Sequence, residues 1–169
     1  MIDNVERSDV LADSACDLIE GVIWKPLGKL HDCRGWLCEL FRIDEPLTAI
    51  HPVMAYVSAT KPGVVRGPHE HSDQTDCFAF IGPGNFGVFL WDNRATSSTF
   101  LARQRVIAGV DRPMLLVIPP GVVHAYQNVG TEIGYVINCP NRLYRGPGRL
   151  GPVDEIRHEE DRSSPFQLD

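Results

Sequence analysis

The sequence has no long apolar run, and aromatic side chains make up only 8% of its 169 residues. A helix that crosses a bilayer needs about 20 consecutive apolar residues, and no stretch of this chain provides them. The first ten residues include four charged side chains and contain no apolar run typical of a signal peptide. We therefore expect a cytoplasmic protein without a membrane partner.

Basic residues are also few, since 16 lysines and arginines stand against 22 aspartates and glutamates, a net charge of −6. This charge gives no general attraction to a polyanion, so nucleic-acid binding without sequence preference is disfavoured. A phosphate-bearing ligand must then be held by a few local arginines. The length fits one domain with a hydrophobic core and is short for two.

Cysteine is scarce and irregularly spaced. The five cysteines form no CxxC pair and no other zinc-binding spacing. In a reducing compartment each is expected to be a small buried apolar residue. These are Cys16, Cys33, Cys38, Cys77 and Cys139.

Glycine and proline, by contrast, make up 28 of the 169 residues, roughly 17% where about 12% is average. One segment, residues 9–23, has helical periodicity with Ser8 or Asp9 as a cap. After Pro26, short apolar or alternating runs each end at glycine or proline, which is typical of antiparallel strands in a sandwich or barrel. The predicted strands are residues 35–41, 53–59, 77–81, 86–91, 103–108, 114–118, 124–128 and 134–138.

We therefore predict one all-β domain over residues 1–169, with a short N-terminal helix. The barrel would occupy residues 24–140. An irregular tail, residues 141–169, is rich in glycine, proline and charge, and would lie over the barrel. A disordered tail is the alternative, because few apolar groups there could offset the entropy of ordering.

Histidines are concentrated in two of these segments. His69 and His71 are two residues apart, so on a strand both imidazoles would point to one face. Asp76 follows them, and the turn in IPPGVVHAYQN delivers His124 onto another strand. Three imidazoles and a carboxylate at one barrel mouth suit a divalent transition metal with one or two open positions. Each histidine alone could instead be a strand-end or core residue satisfied by its neighbours.

The same segments resemble the two motifs of the cupin superfamily. The first motif matches through Gly63, His69 and His71, with Asp76 where glutamate is usual. The second matches from Pro119, Gly121 and His124 to Asn128. The resemblance implies a jelly-roll barrel, and it leaves the metal open because many cupins have lost it.

Further segments resemble the dTDP-4-dehydrorhamnose 3,5-epimerase family. HDCRGWLCELF is similar to its D-x-R-G-x-F-x-E-x-F motif, and GVVRGPH to its G-V-L-R-G-L-H. Four more matches follow in the family's order, so the resemblance covers about residues 20–166. They lie at residues 91–100, 119–126, 133–135 and 160–166.

This resemblance implies a homodimeric enzyme that acts on a nucleotide-linked 4-keto sugar and requires no cofactor. A base takes a proton beside the ketone, and an acid returns one to the opposite ring face. By resemblance His69 is the base, Asp161 orients it and Tyr135 is the acid. The substrate-binding candidates are Arg34, Glu39, Arg66 and His124, the first two on a strand that the family donates from the partner subunit.

The chain departs from the family at several positions. The family's lysine near the ketone oxygen falls at Asp76, where an anion has the wrong sign to stabilise an oxyanion. Its phenylalanine in the first motif falls at Leu37. Because the exchange also brings His71, it produces the metal-binding set His69, His71, Asp76 and His124.

Three alternatives to an epimerase therefore stay open. The first is a metal-dependent cupin enzyme, an oxygenase or isomerase, that uses the three histidines and Asp76. The second is a sugar-nucleotide 3,4-ketoisomerase, whose R-G-x-H-x-H motif residues 66–71 resemble. The third is a sugar or nucleotide binder without catalytic activity.

Overall fold

The computed structural model describes residues 19–42, 44 and 50–168. Most of the predicted helix, residues 9–18, lies outside the described residues. Its predicted end is wrong, because Glu20 and Gly21 form a turn and Ile23 begins a strand. Ile19, the last apolar residue of the pattern before this turn, is buried in the core.

The described residues form twelve strands, which include all eight that the sequence predicts. The strands are β1 (Ile23–Pro26), β2 (Lys29–Asp32), β3 (Gly35–Cys38), β4 (Tyr56–Thr60), β5 (Val65–Glu70), β6 (Asp76–Phe80), β7 (Asn85–Asp92), β8 (Arg103–Gly109), β9 (Met114–Ile118), β10 (Val122–Asn128), β11 (Gly134–Asn138) and β12 (Ile156–Arg157). Two short 3-10 helices, Pro147–Arg149 and His158–Glu160, lie in the C-terminal segment. None of the described helices is long and apolar enough to cross a membrane.

The strands form two five-stranded antiparallel sheets, in the orders β1-β9-β6-β11-β4 and β12-β5-β10-β7-β8. This is the expected jelly-roll architecture. The hairpin β2-β3 forms a separate two-stranded sheet. The C-terminal segment contributes β12 to the edge of the second sheet, where it pairs with β5.

The core lies between the two sheets and contains fully buried rings from both, such as Phe80 of β6 and Phe86 of β7. Strands β6 and β9 are buried along their whole length, because each sheet is also covered on its outer face. On the first sheet this cover includes Leu27 and Ile50. On the second sheet Phe166 of the C-terminal segment packs against the cluster that contains Trp91.

Two cysteines match the expectation and one does not. Cys77 and Cys139 are buried, as predicted, and Cys38 is half-buried. Cys33 is exposed because it lies in the turn of the β2-β3 hairpin, which none of the described strands covers. Cys16 lies outside the described residues.

Candidate active site

The structure brings the three histidines and the aspartate together at one end of the barrel. His69 lies on β5 directly opposite His124 of β10 in the antiparallel pairing, and their ring centroids are 4.4 Å apart. His71 follows β5, and Asp76 begins β6 of the other sheet. One potential ligand atom of each residue lies within 4.8 Å of the others. The convergence that the motif spacing predicted is therefore present.

A glycine makes the close approach of β5 and β10 possible. The register between these strands shifts after His124, and opposite this irregularity Gly67 adopts a left-handed φ of 81°. A Cβ atom on Gly67 would lie 2.6 Å from the carbonyl oxygen of His124 and 3.0 Å from Nδ1 of His69. Only glycine therefore fits here without moving the two imidazoles.

Backbone carbonyls fix the tautomers of two histidines. Nδ1 of His124 donates to the carbonyl oxygen of Val122 at 3.1 Å, and Nδ1 of His71 donates to that of Asp154. A carbonyl oxygen only accepts, so the proton of a neutral ring sits on Nδ1 in both cases. Nε2 then carries a lone pair, and in both rings Nε2 points towards Asp76.

Asp76 is 1% exposed and uses its two oxygens differently. Oδ1 accepts hydrogen bonds from the amides of Gln74 and Asn138, both at 2.8 Å. Oδ2 lies 3.2 Å from Nε2 of His71 and 3.2 Å from Nε2 of His124. Although these atoms are close, Oδ2 of Asp76 and Nε2 of His124 are buried and form no hydrogen bond with any residue that the structure describes.

Such a cluster needs positive charge, because a carboxylate oxygen and imidazole lone pairs converge on one point. Protons can supply it: burial opposes charge on His71, but the adjacent Asp76 carboxylate raises the pKa of His71 overall. Burial likewise opposes charge on Asp76, but the two imidazoles hold the pKa of Asp76 well below its usual range. A cation bound between them would satisfy the same atoms.

His69 has a different environment from the other two histidines. Burial and the neighbouring imidazole of His124 lower the pKa of His69 to about 2. Its Nε2 lies 3.9 Å from Oε1 of Glu155, a residue of the C-terminal segment just before β12. His69 is therefore neutral at neutral pH, with a carboxylate close to its ring.

The C-terminal segment also fixes the link that carries His71. The Asp154 carboxylate accepts the backbone N–H groups of Ser72, Asp73 and Gln74 at 2.8 to 2.9 Å. Burial opposes the charge of Asp154, but these donors together lower the pKa of its carboxyl. The segment that leads into β12 thus contributes both to the wall of the site and to its rigidity.

A cavity of about 1000 Å³ opens beside the cluster. His69 and His71 lie on its wall, and His124 and Asp76 are buried next to them. Arg66 also lines the cavity, and it donates to Oγ1 of Thr60 at 2.9 Å. Much of the remaining wall comes from residues between 142 and 159.

Tyr135 does not line this cavity, contrary to the expectation. Side chains alternate along β11, and Val136 points into the core between the sheets. Tyr135 therefore points to the other face and is 44% exposed. The tyrosines that line the cavity are Tyr56, Tyr126 and Tyr144.

These three tyrosines differ in how they are held. The Tyr56 hydroxyl accepts from the amide of Asn138 at 2.9 Å, and burial raises the pKa of Tyr56 to about 12. The Tyr126 hydroxyl forms a hydrogen bond with Oγ of Ser58 at 2.8 Å. Tyr144 is 54% exposed. Sequence reasoning missed Tyr144 because it lies in an irregular stretch after β11, where no periodicity indicates the direction of a side chain.

Asp161 also lies elsewhere than expected. It is exposed, and its Oδ1 accepts from the backbone N–H and the hydroxyl of Ser163 at 2.9 and 2.7 Å. Glu155 instead occupies the place beside His69, because Arg157 of β12 pairs with His69 of β5. A two-residue strand has no sequence pattern from which this register could be read.

Arg34 and Glu39 lie away from the cavity within this chain. The Arg34 side chain is 85% exposed and pairs with Asp32 at 2.6 Å. The Glu39 carboxylate lies 3.6 Å from the guanidinium of Arg42. Leu37, where the family has phenylalanine, is 62% exposed on the same hairpin.

Comparison with known proteins identifies the family. The model of the dTDP-4-dehydrorhamnose 3,5-epimerase family matches residues 17–148. The spore coat polysaccharide biosynthesis protein SpsL of Bacillus subtilis is 41% identical over 113 residues, which are 67% of this chain and 74% of that protein. The probable low-salt glycan biosynthesis epimerase Agl13 of Haloferax volcanii is 36% identical over 114 residues, 67% of this chain and 72% of that one.

A solved structure agrees with this match. The crystal structure of a dTDP sugar isomerase from Desulfovibrio desulfuricans G20 superposes on this chain with a TM-score of 0.76 and 28% sequence identity. The match covers 88% of this chain and 91% of that one. The family model, both relatives and the architecture of the two sheets agree. The chain belongs to the dTDP-4-dehydrorhamnose 3,5-epimerase family.

Proposed function

We propose that this protein is an isomerase that epimerises a nucleotide-linked 4-keto deoxy sugar. A proton leaves the carbon beside the ketone, and another returns to the same carbon from the opposite ring face. The observation that carries this proposal is His69, a neutral imidazole on the wall of a cavity of about 1000 Å³. That volume is at the upper end of the range for small-molecule sites and suits a ligand as large as a nucleotide sugar.

His69 is the proposed base. Its side chain is 14% exposed, so it faces the cavity while most of the ring is desolvated. The lowered pKa leaves a ring nitrogen ready to accept a proton, but it also makes the free imidazole a weak base. The Glu155 carboxylate, 3.9 Å away, would stabilise the imidazolium that forms. Glu155 therefore takes the orienting role that the resemblance gave to Asp161.

Tyr144 is the proposed acid in place of Tyr135. It lines the same cavity as His69, whereas the hydroxyls of Tyr56 and Tyr126 already have partners on the barrel wall. A phenol can return a proton to the sugar without carrying a charge beforehand. Arg66, on the same wall, remains a substrate-binding candidate, and His124 is placed behind His69 rather than in open contact with the cavity.

The test of these roles is solvent exchange into a dTDP-4-keto-6-deoxy sugar, followed by NMR in D2O. We expect Tyr144→Phe to lose inversion, and His69→Gln to lose proton removal altogether. The matched control is Tyr135→Phe, which removes the same hydroxyl from the outer face of β11 and should behave as the wild type. Equal loss in Tyr135→Phe and Tyr144→Phe would contradict the assignment. A 3-keto product instead of an epimer would show the ketoisomerase.

We also propose a homodimer in which the β2-β3 hairpin of one chain reaches the cavity of the other. Two observations support it. Among the described residues the hairpin pairs with no other strand, and it exposes Leu30 and Leu37, 69% and 62% exposed. Arg34 would then reach a substrate phosphate from the partner. Light scattering should give twice the chain mass for the wild type, and a Leu30→Lys, Leu37→Lys variant should shift towards the monomer.

The cytoplasmic location stays a prediction.

A second candidate function is a metal-dependent isomerase in which His69, His71, Asp76 and His124 hold a divalent transition metal. It is favoured by the Nε2 atoms of His71 and His124, whose other nitrogens donate to backbone carbonyls. This is the arrangement that orients imidazole ligands towards a metal. The unpartnered Oδ2 of Asp76 adds the carboxylate ligand. A bound ion would polarise the ketone oxygen, the role that the resemblance gives to the lysine replaced by Asp76.

The two candidates make exclusive demands on His69, because a ring nitrogen that binds a metal cannot accept the substrate proton. Metal analysis of protein purified without added ions separates them. The metal candidate predicts about one equivalent of a transition metal, lost in His71→Ala and retained in a control, His51→Ala, at an exposed position outside the cavity and the hairpin. Wild-type protein without metal, and with no Co²⁺ absorption band on titration, would contradict it.

A further inference from the structure

Two arginines of the cavity wall, Arg145 and Arg149, have no role in either candidate reaction and form no ion pair among the described residues. They lie in residues 142–149, which we call the arginine segment, between β11 and β12. Arg145 and Arg149 both line the cavity. Arg145 directly follows Tyr144, and Arg149 ends the short 3-10 helix Pro147–Arg149. Both are exposed, so their guanidinium groups are accessible to a ligand.

Arg145 and Arg149 differ in their ion pairs from the other two arginines of this part of the wall. Arg142 forms an ion pair with Asp73 at 2.6 Å, and Arg157 forms one with Glu155 at 2.9 Å. Arg145 has only a long hydrogen bond, 3.4 Å from its Nε to the carbonyl oxygen of Gly151. Within the part of the chain that the structure describes, no carboxylate pairs with Arg145 or Arg149. Two such arginines on the wall of one cavity can bind an anion, although the chain as a whole has a net charge of −6 and Glu155 and Glu159 also line the cavity.

The backbone of the arginine segment supports a functional role for these side chains. Arg145 and Arg149 have left-handed φ angles of 58° and 61°, a conformation that glycine adopts without strain. Turn hydrogen bonds hold both residues in it: Gly151 donates to the carbonyl of Arg145 at 2.7 Å, and Arg149 donates to that of Gly146 at 3.1 Å. The backbone conformation alone would favour glycine at both positions. Residues other than glycine in this conformation cluster at ligand sites.

We infer that Arg145 and Arg149 bind the diphosphate group of the nucleotide-linked substrate. The inference rests on the proposed function, and it adds two phosphate contacts from this chain's own cavity wall to the contact of Arg34 from the partner subunit. A guanidinium group has five N–H donors in a planar fork, which matches two oxygens of a phosphate. Diphosphate binding here would leave the sugar beside His69 and Tyr144, which line the same cavity.

Calorimetric titration with dTDP and with UDP, ADP and GDP tests the inference directly, because it needs no turnover. We expect at least one nucleoside diphosphate to bind the wild type, and Arg145→Gln, Arg149→Gln to weaken it by about tenfold or more. The matched control, Arg105→Gln, Arg112→Gln, removes the same charge from exposed positions outside the cavity and should bind as the wild type. Thermal melting of each variant verifies that it is folded.

The outcomes separate this inference from the proposed function. Equal affinity in the wild type and in Arg145→Gln, Arg149→Gln would overturn the inference, as would equal weakening in the control. Absence of binding by every nucleoside diphosphate would also overturn it. Selective weakening without any solvent exchange into the keto sugar would support the inference while the proposed reaction fails. Partial recovery in Arg145→Lys, Arg149→Lys would further support direct phosphate contact.

Discussion

Replacing Gly67 by alanine tests whether the close contact of β5 and β10 builds the site. The new Cβ would lie 2.6 Å from a backbone oxygen of β10, and that strand cannot yield easily because it is paired with β7 along its whole length. The matched control is Gly63→Ala, which has a similar left-handed φ of 72° but no atom within 4 Å of the new Cβ. The difference between the free energies of unfolding of the two variants isolates the effect of the contact with β10.

Two costs determine the expected losses of stability: left-handed backbone strain and steric overlap with β10. Left-handed strain alone costs about 1 kcal/mol, which is the loss that we expect for Gly63→Ala. Overpacking against β10 adds about 1–3 kcal/mol, so Gly67→Ala should lose about 2–4 kcal/mol. Urea denaturation measures both. Because the same Cβ lies 3.0 Å from Nδ1 of His69, solvent exchange into the keto sugar should also fall, by about 100-fold. Losses that agree within about 0.5 kcal/mol would refute the argument.

Two other predictions concern buried charges. Asp92 is 1% exposed and accepts from Arg94, Ser97 and Thr99, so Asp92→Ala should cost about 3 kcal/mol in urea denaturation. Asp111→Ala, at an exposed site, should change stability by about 0.5 kcal/mol or less, and an equal loss would contradict this account. The pKa of His71 is raised in the folded protein, so the stabilisation by its charge is complete below about pH 6.5, the unfolded value. It is lost as the pH rises through the folded pKa. In a chelating buffer Tm should fall as the pH rises above about 6.5, less so in His71→Gln, and a Tm that varies equally in both proteins would argue against the imidazolium.

The sequence predicted the fold well because its strands are short, apolar and separated by glycine or proline. The four strands that it missed have local reasons. β1 overlaps the end of a helical pattern, β2 and β12 are only four and two residues long, and β5 is interrupted by Gly67 and Pro68. The cluster of His69, His71, Asp76 and His124 was predictable because the residues that form it follow two motifs with fixed spacing.

The remaining site residues depend on tertiary structure that no motif encodes. Tyr135 was assigned from its order along the chain, but the alternation of β11 turns it away from the cavity. Glu155 lies beside His69 only because β12 pairs with β5 in one register. Tyr144 and Arg145 come from an irregular segment whose turns, rather than any periodicity, determine which side chains reach the cavity.

Position-resolved deuterium incorporation by the wild-type protein shows whether it epimerises a keto sugar. A dTDP-4-keto-6-deoxy sugar is incubated with it in D2O, and the product is read by NMR. We predict deuterium at a carbon beside the ketone, with inverted configuration at that carbon and the ketone still at position 4. Binding of the nucleotide sugar without any deuterium incorporation would contradict the proposed epimerisation.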